Sequence, residues 1–248
     1  MGDLLFFESI GSTNDEALHW AAEGARDLSL VVADEQTAGR GRSGRKWHTP
    51  AGSALAFSIV LRPSAVERTL PARITGLAAL ATIQCCEHLG LQAKIKWPND
   101  ILLGGRKAAG ILVESAWMGN TLDAAVMGIG INVTSSALPR ADQLSFPATS
   151  LEGELGRSLS RADILREVLT SLLAWRARIG TAEFIQAWED VLAFRGEEVA
   201  VGQDGEQQLN GTLLGLEPDG SLRLLAEDMP TIVHFGEIHL RSRDDRIG

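Results

Sequence analysis

A long helical repeat between short strand-like segments is the feature that most constrains the fold of this chain. From Leu70 to Leu89, apolar residues recur at steps of three and four, which is the spacing of one buried helix face. Gly90 follows as a helix stop, and Gly104-Gly105 predicts a tight hairpin further along. Short apolar runs typical of strands occupy residues 54–61, 93–97, 101–103, 108–115 and 122–129. We therefore expect an α+β fold with a mixed β-sheet flanked by helices.

The two ends of the chain differ in the secondary structure that their sequences predict. Ser12-Thr13-Asn14 predicts a helix start, with hydroxyls that cap free N–H groups, and a stop near Gly24. From about Gly196 only short strands and turns follow, which predicts a small β-barrel of about 50 residues. We expect a first domain at residues 1–194 and a second at 195–248. Further elements are a strand at 30–33, a helix that Ser160 opens and a helix at 184–192.

Composition excludes several classes of protein. A net charge of -9 opposes general binding to nucleic acid or to an anionic membrane, so we expect neither partner. Cys85 and Cys86 are neighbours in an apolar stretch, which rules out a disulfide framework. The apolar stretch 74–86 is too short to span a bilayer, and the first residues lack a signal-peptide pattern. We expect a cytoplasmic protein.

A basic loop at residues 39–47 is the strongest chemical signal. It holds four cations, three glycines and no acid, and ends in Trp47. Glycines let backbone N–H groups approach an anion, and Arg supplies planar forks that match phosphate oxygens. The loop lacks the ending of a Walker motif, and a solvated loop or a local nucleic-acid contact would show the same charges.

Each of three further motifs, taken alone, allows both a structural and a functional interpretation. Lys96-Trp97-Pro98-Asn99-Asp100 ends a strand and is either a plain turn or a ligand edge. Lys107 follows the predicted hairpin, as a surface cation or as one facing negative charge in a site. Asn132, after Gly128 and Gly130, could pair with adenine or cap a strand end. No metal-ligand spacing or G-x-S-x-G motif is present, so we expect no metal held by protein ligands alone.

In this order, the motifs resemble the catalytic core of biotin protein ligases. The resemblance runs from Ser12-Thr13-Asn14 through 39–47, 96–100, 106–114 and 130–132 to the C-terminal barrel. It implies a fold like that of class II aminoacyl-tRNA synthetases with an SH3-like barrel. The implied reaction joins biotin to AMP, using MgATP, and then transfers biotin to a lysine of the biotin carboxyl carrier protein domain of acetyl-CoA carboxylase or a related enzyme.

The resemblance also implies residue roles. Lys107, Arg42 and Arg45 would be catalytic, acting on the carboxylate and α-phosphate, with Asp100 a weak candidate near the magnesium ion. The nucleotide would contact Arg42, Arg45, Trp47, Lys107 and Asn132. The biotin pocket would be formed by Ser12, Thr13, Asn14, Gln36, Gly39, Arg40, Gly41 and Gly110.

Two alternatives remain. A lipoate or octanoate protein ligase shares the core fold and carrier chemistry, and a non-catalytic nucleic-acid binder could use the basic loop. Because the resemblance begins within a dozen residues of Met1, we expect no winged-helix domain and no operon repression. The oligomeric state is open, and a homodimer is compatible with the sequence.

Overall fold

The computed structural model describes residues 2–140, 146–202, 208–234 and 237–239. In this part of the chain, seven strands form a large sheet, five form a smaller one, and six α-helices flank them. The strands of the large sheet are β1 (Leu4–Ile10), β2 (Ser29–Gln36), β3 (Ala54–Leu61), β4 (Ala93–Lys96), β5 (Asp100–Leu103), β6 (Arg106–Met118) and β7 (Thr121–Asn132). The helices are α1 (Thr13–Ala22), α2 (Ala65–Thr69), α3 (Arg73–His88), α4 (Leu151–Leu155), α5 (Arg161–Arg176) and α6 (Ala182–Asp190).

The large sheet is mixed, as expected. Its order is β1-β2-β3-β7-β6-β5-β4, with β1 and β2 parallel and the other neighbours antiparallel. The predicted hairpin joins β5 to β6, where Gly104 and Gly105 adopt φ values of 53° and 76°. These left-handed conformations suit glycine, and they explain the Gly-Gly pair. The α+β expectation is confirmed.

Helices cover both faces of this sheet. Helix α1 packs against β2, β3 and β7, with Ala17 and Ala21 buried in one cluster with Val31 and Val60. On the opposite side, α3 packs against α5 and the strands β4 to β7. The small alanine side chains of α1 allow this helix to approach the sheet closely. The longer side chains of α3 form the larger core on the other face of the sheet.

The two cysteines belong to that larger core. Cys85 and Cys86 are unpaired thiols on α3 and are each 2% exposed. Burial raises the pKa of both thiols to about 12, because an apolar environment disfavours the charged thiolate. They are packing residues rather than nucleophiles.

Helix α1 begins where predicted, but its cap is different. Ser12 is the N-cap residue, yet its hydroxyl makes no capping hydrogen bond. Instead, the side-chain oxygen of Gln36 accepts a hydrogen bond from the N–H of Thr13 at 2.8 Å. The expectation of a hydroxyl cap was wrong because the end of β2 supplies the acceptor. Ser160, in contrast, does cap α5 through the N–H of Asp163.

The smaller sheet follows from residue 198 and is antiparallel. Its strands are β8 (Glu198–Gly202), β9 (Leu209–Leu216), β10 (Leu222–Ala226), β11 (Met229–Val233) and β12 (Glu237–His239). Their order, β11-β10-β9-β8-β12, leaves β11 and β12 unpaired with each other among the described residues. The expected closed barrel is therefore an open sheet in this part of the chain. Among the described residues, β12 pairs with β8 and β11 pairs with β10.

The turn at residues 218–220 fastens the smaller sheet to the rest. The guanidinium of Arg73, 5% exposed, donates to the carbonyl oxygens of Pro218 and Ile179. The indole of Trp97 donates to the carbonyl of Gly220 at 3.1 Å. Val199, Leu213 and Leu222 join the same hydrophobic core as α3. The two-domain division at 194/195 stays a prediction.

In the described part of the chain, no helix is both long and apolar enough to cross a membrane.

Candidate functional site

A cavity of about 820 Å³ opens beside strands β6 and β7 and under the basic loop. Lys107, Arg42 and Arg45 all line it, although Lys107 is more than sixty residues from either arginine in sequence. Among the residues expected to bind ligand, only Gly39 does not reach the cavity wall. The expected residues that do line it are Ser12, Thr13, Asn14, Gln36, Arg40, Gly41, Arg42, Arg45, Trp47, Lys107, Gly110 and Asn132.

The basic loop is itself a small hairpin. The N–H of Trp47 donates to the carbonyl of Gly39 at 2.9 Å, and that of Gly41 to Arg45 at 2.7 Å. A methyl group at position 39 would overlap the Trp47 carbonyl oxygen, so Gly39 is required by backbone packing. Ser43 and Gly44 turn the chain at the tip with positive φ. Arg42, Arg45 and Lys46 line the cavity from this loop.

Lys107 faces the cavity because of a bulge in β6. Ile101 pairs with Ala109, but Leu102 pairs with Lys107, so Ala108 is an extra residue on β6. This puts Lys107 and Gly110 on the same wall, which a regular strand would not do. The Nζ atom of Lys107 lies 2.7 Å from Oδ1 of Asp100, which is 8% exposed.

A second lysine adds to the positive charge of this end. Lys96 lines the cavity, is 8% exposed, and places its Nζ atom 4.7 Å from the ring centroid of Phe146. Together with Lys107 and the two loop arginines, this lysine concentrates positive charge here, so this end favours a negatively charged ligand. We call it the cationic end of the cavity, formed by Lys96, Lys107, Arg42 and Arg45.

Trp47 forms a wall against two glycines. A methyl group at Gly130 would overlap the indole, and one at Gly110 would lie 3.0 Å from it. Its ring centroid is 5.5 Å from Nζ of Lys107. The indole Nε1 atom is buried and has no hydrogen-bond partner among the described residues. Gly110, which we expected to contact biotin, thus also makes room for Trp47.

The side chain of Asn132 is held by hydrogen bonds to backbone carbonyl groups. Its Nδ2 atom donates to the carbonyls of Thr149 at 3.1 Å and Lys107 at 3.5 Å. An amide has two N–H donors, and both point at protein. Asn132 therefore ties β7 to β6 and to the segment at residue 149, which limits a direct adenine contact to its oxygen atom.

The opposite end of the cavity is neutral and closely hydrogen-bonded. Thr13 Oγ1 donates to Gln36 Oε1 at 3.1 Å, and Gln36 Nε2 donates to Thr49 at 3.1 Å. The hydroxyl of Ser58, fully buried on β3, lies 2.8 Å from Thr13 Oγ1 and 2.6 Å from Asn14 Oδ1. We call this set, Thr13, Asn14, Gln36 and Ser58, the neutral end.

The roles of two residues that support the neutral end, Ser58 and Gly128, were not predicted from sequence. Ser58 stands in a continuously buried strand, where a serine gives no signal of its own. Gly128 leaves space for Asn14, since a methyl group there would overlap the Asn14 amide oxygen. The pair could have been suspected only from a polar residue and a glycine in two otherwise apolar strands.

Metal binding by protein side chains alone has no support in the part of the chain described. There, no group of three or more His, Cys, Asp or Glu is arranged to hold a metal ion. Asp100 is a carboxylate that lines the cavity, beside the cationic end. One carboxylate with substrate phosphates is a usual Mg²⁺ environment, so the residues present fit a nucleotide-bound Mg²⁺.

Comparisons with known proteins agree with this geometry. Residues 6–132 match the model of the biotin/lipoate A/B protein ligase family. A biotin–[acetyl-CoA-carboxylase] ligase of Paracoccus denitrificans is 36% identical and covers 86% of this chain and 90% of its own length. The bifunctional ligase/repressor BirA of Bacillus subtilis is 34% identical over 96% of this chain and 74% of its own length. A biotin protein ligase structure from Aquifex aeolicus, in complex with biotin and ATP, superposes with a TM-score of 0.81 at 29% identity, covering 96% of this chain and 98% of that one.

Proposed function

The chain belongs to the biotin/lipoate A/B protein ligase family, and we propose that it is a biotin protein ligase that uses ATP. The relatives named as biotin ligases bear out the activity predicted from sequence. The observation that carries the proposal is a single cavity with a neutral, hydrogen-bonding end and a cationic end. A ligand with a neutral polar ring and an acid group matches the two ends in turn.

The first proposed step joins two anions. The biotin carboxylate attacks the α-phosphorus of ATP, the bond to pyrophosphate breaks, and biotinyl-5'-AMP forms. Lys107 would lie between carboxylate and phosphate, where its charge offsets their repulsion and the charge of the transition state. Its contact with Asp100, at 2.7 Å, holds the ammonium group at the cavity wall before ligand arrives.

The nucleotide contacts are proposed from the same wall. Arg42 and Arg45 would bind phosphate oxygens from the basic loop, and Trp47 would flank the adenine. Asp100 would hold a Mg²⁺ ion that arrives with ATP and neutralises phosphate charge.

The biotin ring would lie at the neutral end. A ureido group presents N–H donors and a carbonyl acceptor, and side chains that are already oriented bind such a group with little entropy cost. Thr13, Asn14 and Gln36 are held in place by Ser58 and Thr49. Ser12 and the backbone of Arg40 and Gly41 complete the proposed pocket.

The second proposed step is aminolysis. A lysine of a carrier domain attacks the mixed anhydride of the adenylate, forms an amide with biotin and releases AMP. No side chain of this enzyme needs to become acylated. The carrier domain of a carboxylase as partner, and the cytoplasm as location, are part of this proposal.

One experiment separates this reaction from lipoate or octanoate ligation. The protein is incubated with MgATP and biotin, lipoate or octanoate, and pyrophosphate release is measured. We expect pyrophosphate release when MgATP is combined with biotin, and no release when it is combined with lipoate or octanoate. Release with lipoate and not with biotin would overturn the choice of substrate.

A further inference from the structure

Glu114 connects two residues of the cavity wall, Asn14 and Arg40, without lining the cavity itself. It stands on β6, and its side chain is 26% exposed. One carboxylate oxygen, Oε2, accepts from Nδ2 of Asn14 at 2.8 Å. The same carboxylate accepts hydrogen bonds from both terminal nitrogens of Arg40, at 2.9 and 2.6 Å. A residue of the neutral end and a residue of the basic loop are thus attached to one acid.

The contact with Asn14 fixes which way its amide points. Nδ2 donates to the Leu112 carbonyl at 3.2 Å and to Glu114, while Oδ1 accepts from the Ser58 hydroxyl at 2.6 Å. A flipped amide would turn its oxygen toward two acceptors, the Leu112 carbonyl and a carboxylate. The negative charge of Glu114 makes that arrangement unfavourable, so it selects the orientation of Asn14.

The contact with Arg40 fixes one arm of the basic loop. Arg40 lies beside Lys46 in the loop hairpin, and its guanidinium also lies 2.6 Å from Asp15 on α1. Its hydrogen bonds to Glu114 raise the pKa of this guanidinium, and this effect outweighs burial, which lowers the pKa; the charges of Glu114 and Asp15 also raise it. The Arg40 guanidinium is directed at two acids of the protein, Glu114 and Asp15, so its charge holds the loop in position.

We infer that Glu114 is a positioning residue, which ties the basic loop to the neutral end of the cavity through Arg40 and Asn14. The tether is a property of the protein alone. Its effect on biotin binding rests on the proposed function. When Glu114 is absent, the loop arm and the Asn14 amide lose a shared partner, and both parts of the biotin pocket become less ordered.

The tether is tested first without any ligand, by limited trypsin digestion. The basic loop offers cleavage sites after Arg42, Arg45 and Lys46, and proteolysis reports how often a segment opens. Glu114→Ala should speed loop cleavage about fivefold or more, while cleavage after the exposed Arg157 stays at the wild-type rate. Equal loop cleavage in the variant and the wild type would overturn the inference.

The effect on binding is tested by kinetics with pyrophosphate release. Glu114→Ala should raise the KM for biotin about tenfold and change kcat less than about threefold, since it perturbs binding rather than reacting atoms. Glu114→Gln keeps the shape and an acceptor, so it should recover part of the loss and also guard against misfolding of the alanine variant.

Two controls make the result specific. Asp15→Ala removes a more exposed contact to Arg40 and none to Asn14, so its effect on KM should be smaller. Glu183→Ala removes a remote surface pair with Arg178 and should match the wild type. An unchanged biotin KM in Glu114→Ala, with active wild type, contradicts the positioning role. A wild type that shows no biotin-dependent release contradicts the proposed function instead, and the digestion still decides the tether.

Discussion

The neutral and cationic ends of the cavity are built from different kinds of interaction. At the neutral end, hydrogen bonds between short side chains, such as Ser58 to Asn14 at 2.6 Å, fix each group before a ligand enters. At the cationic end, long flexible side chains carry the charge, and Lys107 is held by Asp100 and the Trp47 ring. The difference indicates that one end selects a ligand by shape and donors, whereas the other responds to charge that develops during a reaction.

The largest expected effect is at the cationic end. Lys107→Ala should slow adenylate formation about 100- to 1000-fold, because a lost electrostatic donor costs about 3 to 4 kcal/mol of transition-state stabilisation. Single-turnover pyrophosphate release measures this step. Lys94→Ala removes the same charge at an exposed site bonded to the Asp190 carbonyl and should stay near wild type. Near-normal adenylation by Lys107→Ala would remove this residue from the mechanism.

A smaller effect should follow from the basic loop. Arg42→Gly should speed loss of the adenylate about tenfold and slow its formation less, because a loop over the cavity chiefly protects a hydrolysable intermediate. Filter binding of labelled adenylate gives the dissociation rate. A dissociation rate equal to that of the wild type contradicts this role for Arg42.

At the neutral end, the expected change is in binding alone. Ser58→Ala removes a fully buried hydroxyl that orients Asn14, so the KM for biotin should rise about fivefold, equivalent to about 1 kcal/mol, with kcat nearly constant. Ser171→Ala removes another buried hydroxyl, far from the cavity, and should leave this KM unchanged. A fall in kcat with constant KM would show that the two ends do not divide their work in this way.

The smallest expected effect is that of salt on ligand binding, which should differ between the two ends of the cavity. Raising NaCl from about 0.05 M to about 0.5 M screens exposed charges, so the KM for ATP should rise about two- to threefold. The dissociation constant of biotin, measured by calorimetry without nucleotide, should change less. An equal salt effect on both ligands would weaken the contrast between the ends.

Most of the fold was accessible from sequence because it depends on periodic patterns. Strand β3 matches its predicted limits, and α3 and the Gly104-Gly105 turn lie where expected. Strand β1 was not predicted, because it is an edge strand with Leu4 and Phe6 more than 60% exposed, and it shows no clear buried pattern. The open smaller sheet was also missed, since strand spacing does not reveal whether the outer strands pair.

The site was predictable where motifs carry unusual residues, and not where geometry brings ordinary ones together. The basic loop and Lys107 differ from their surroundings in charge, so the sequence marks them. The bulge at Ala108, which aims Lys107, depends on strand register. Ser58 and Glu114 have no local signal, and their importance arises from contacts with residues more than forty positions away.

The central claim is that this cavity activates biotin with ATP for transfer to another protein. Its most direct test is to incubate the enzyme and its Lys107→Ala variant with labelled biotin and a biotin carrier domain, with and without MgATP, and to measure the label on the carrier. We predict labelling only with MgATP, and about 100-fold or more slower labelling by the variant. Labelling without ATP, or equal labelling by the variant, would contradict the account.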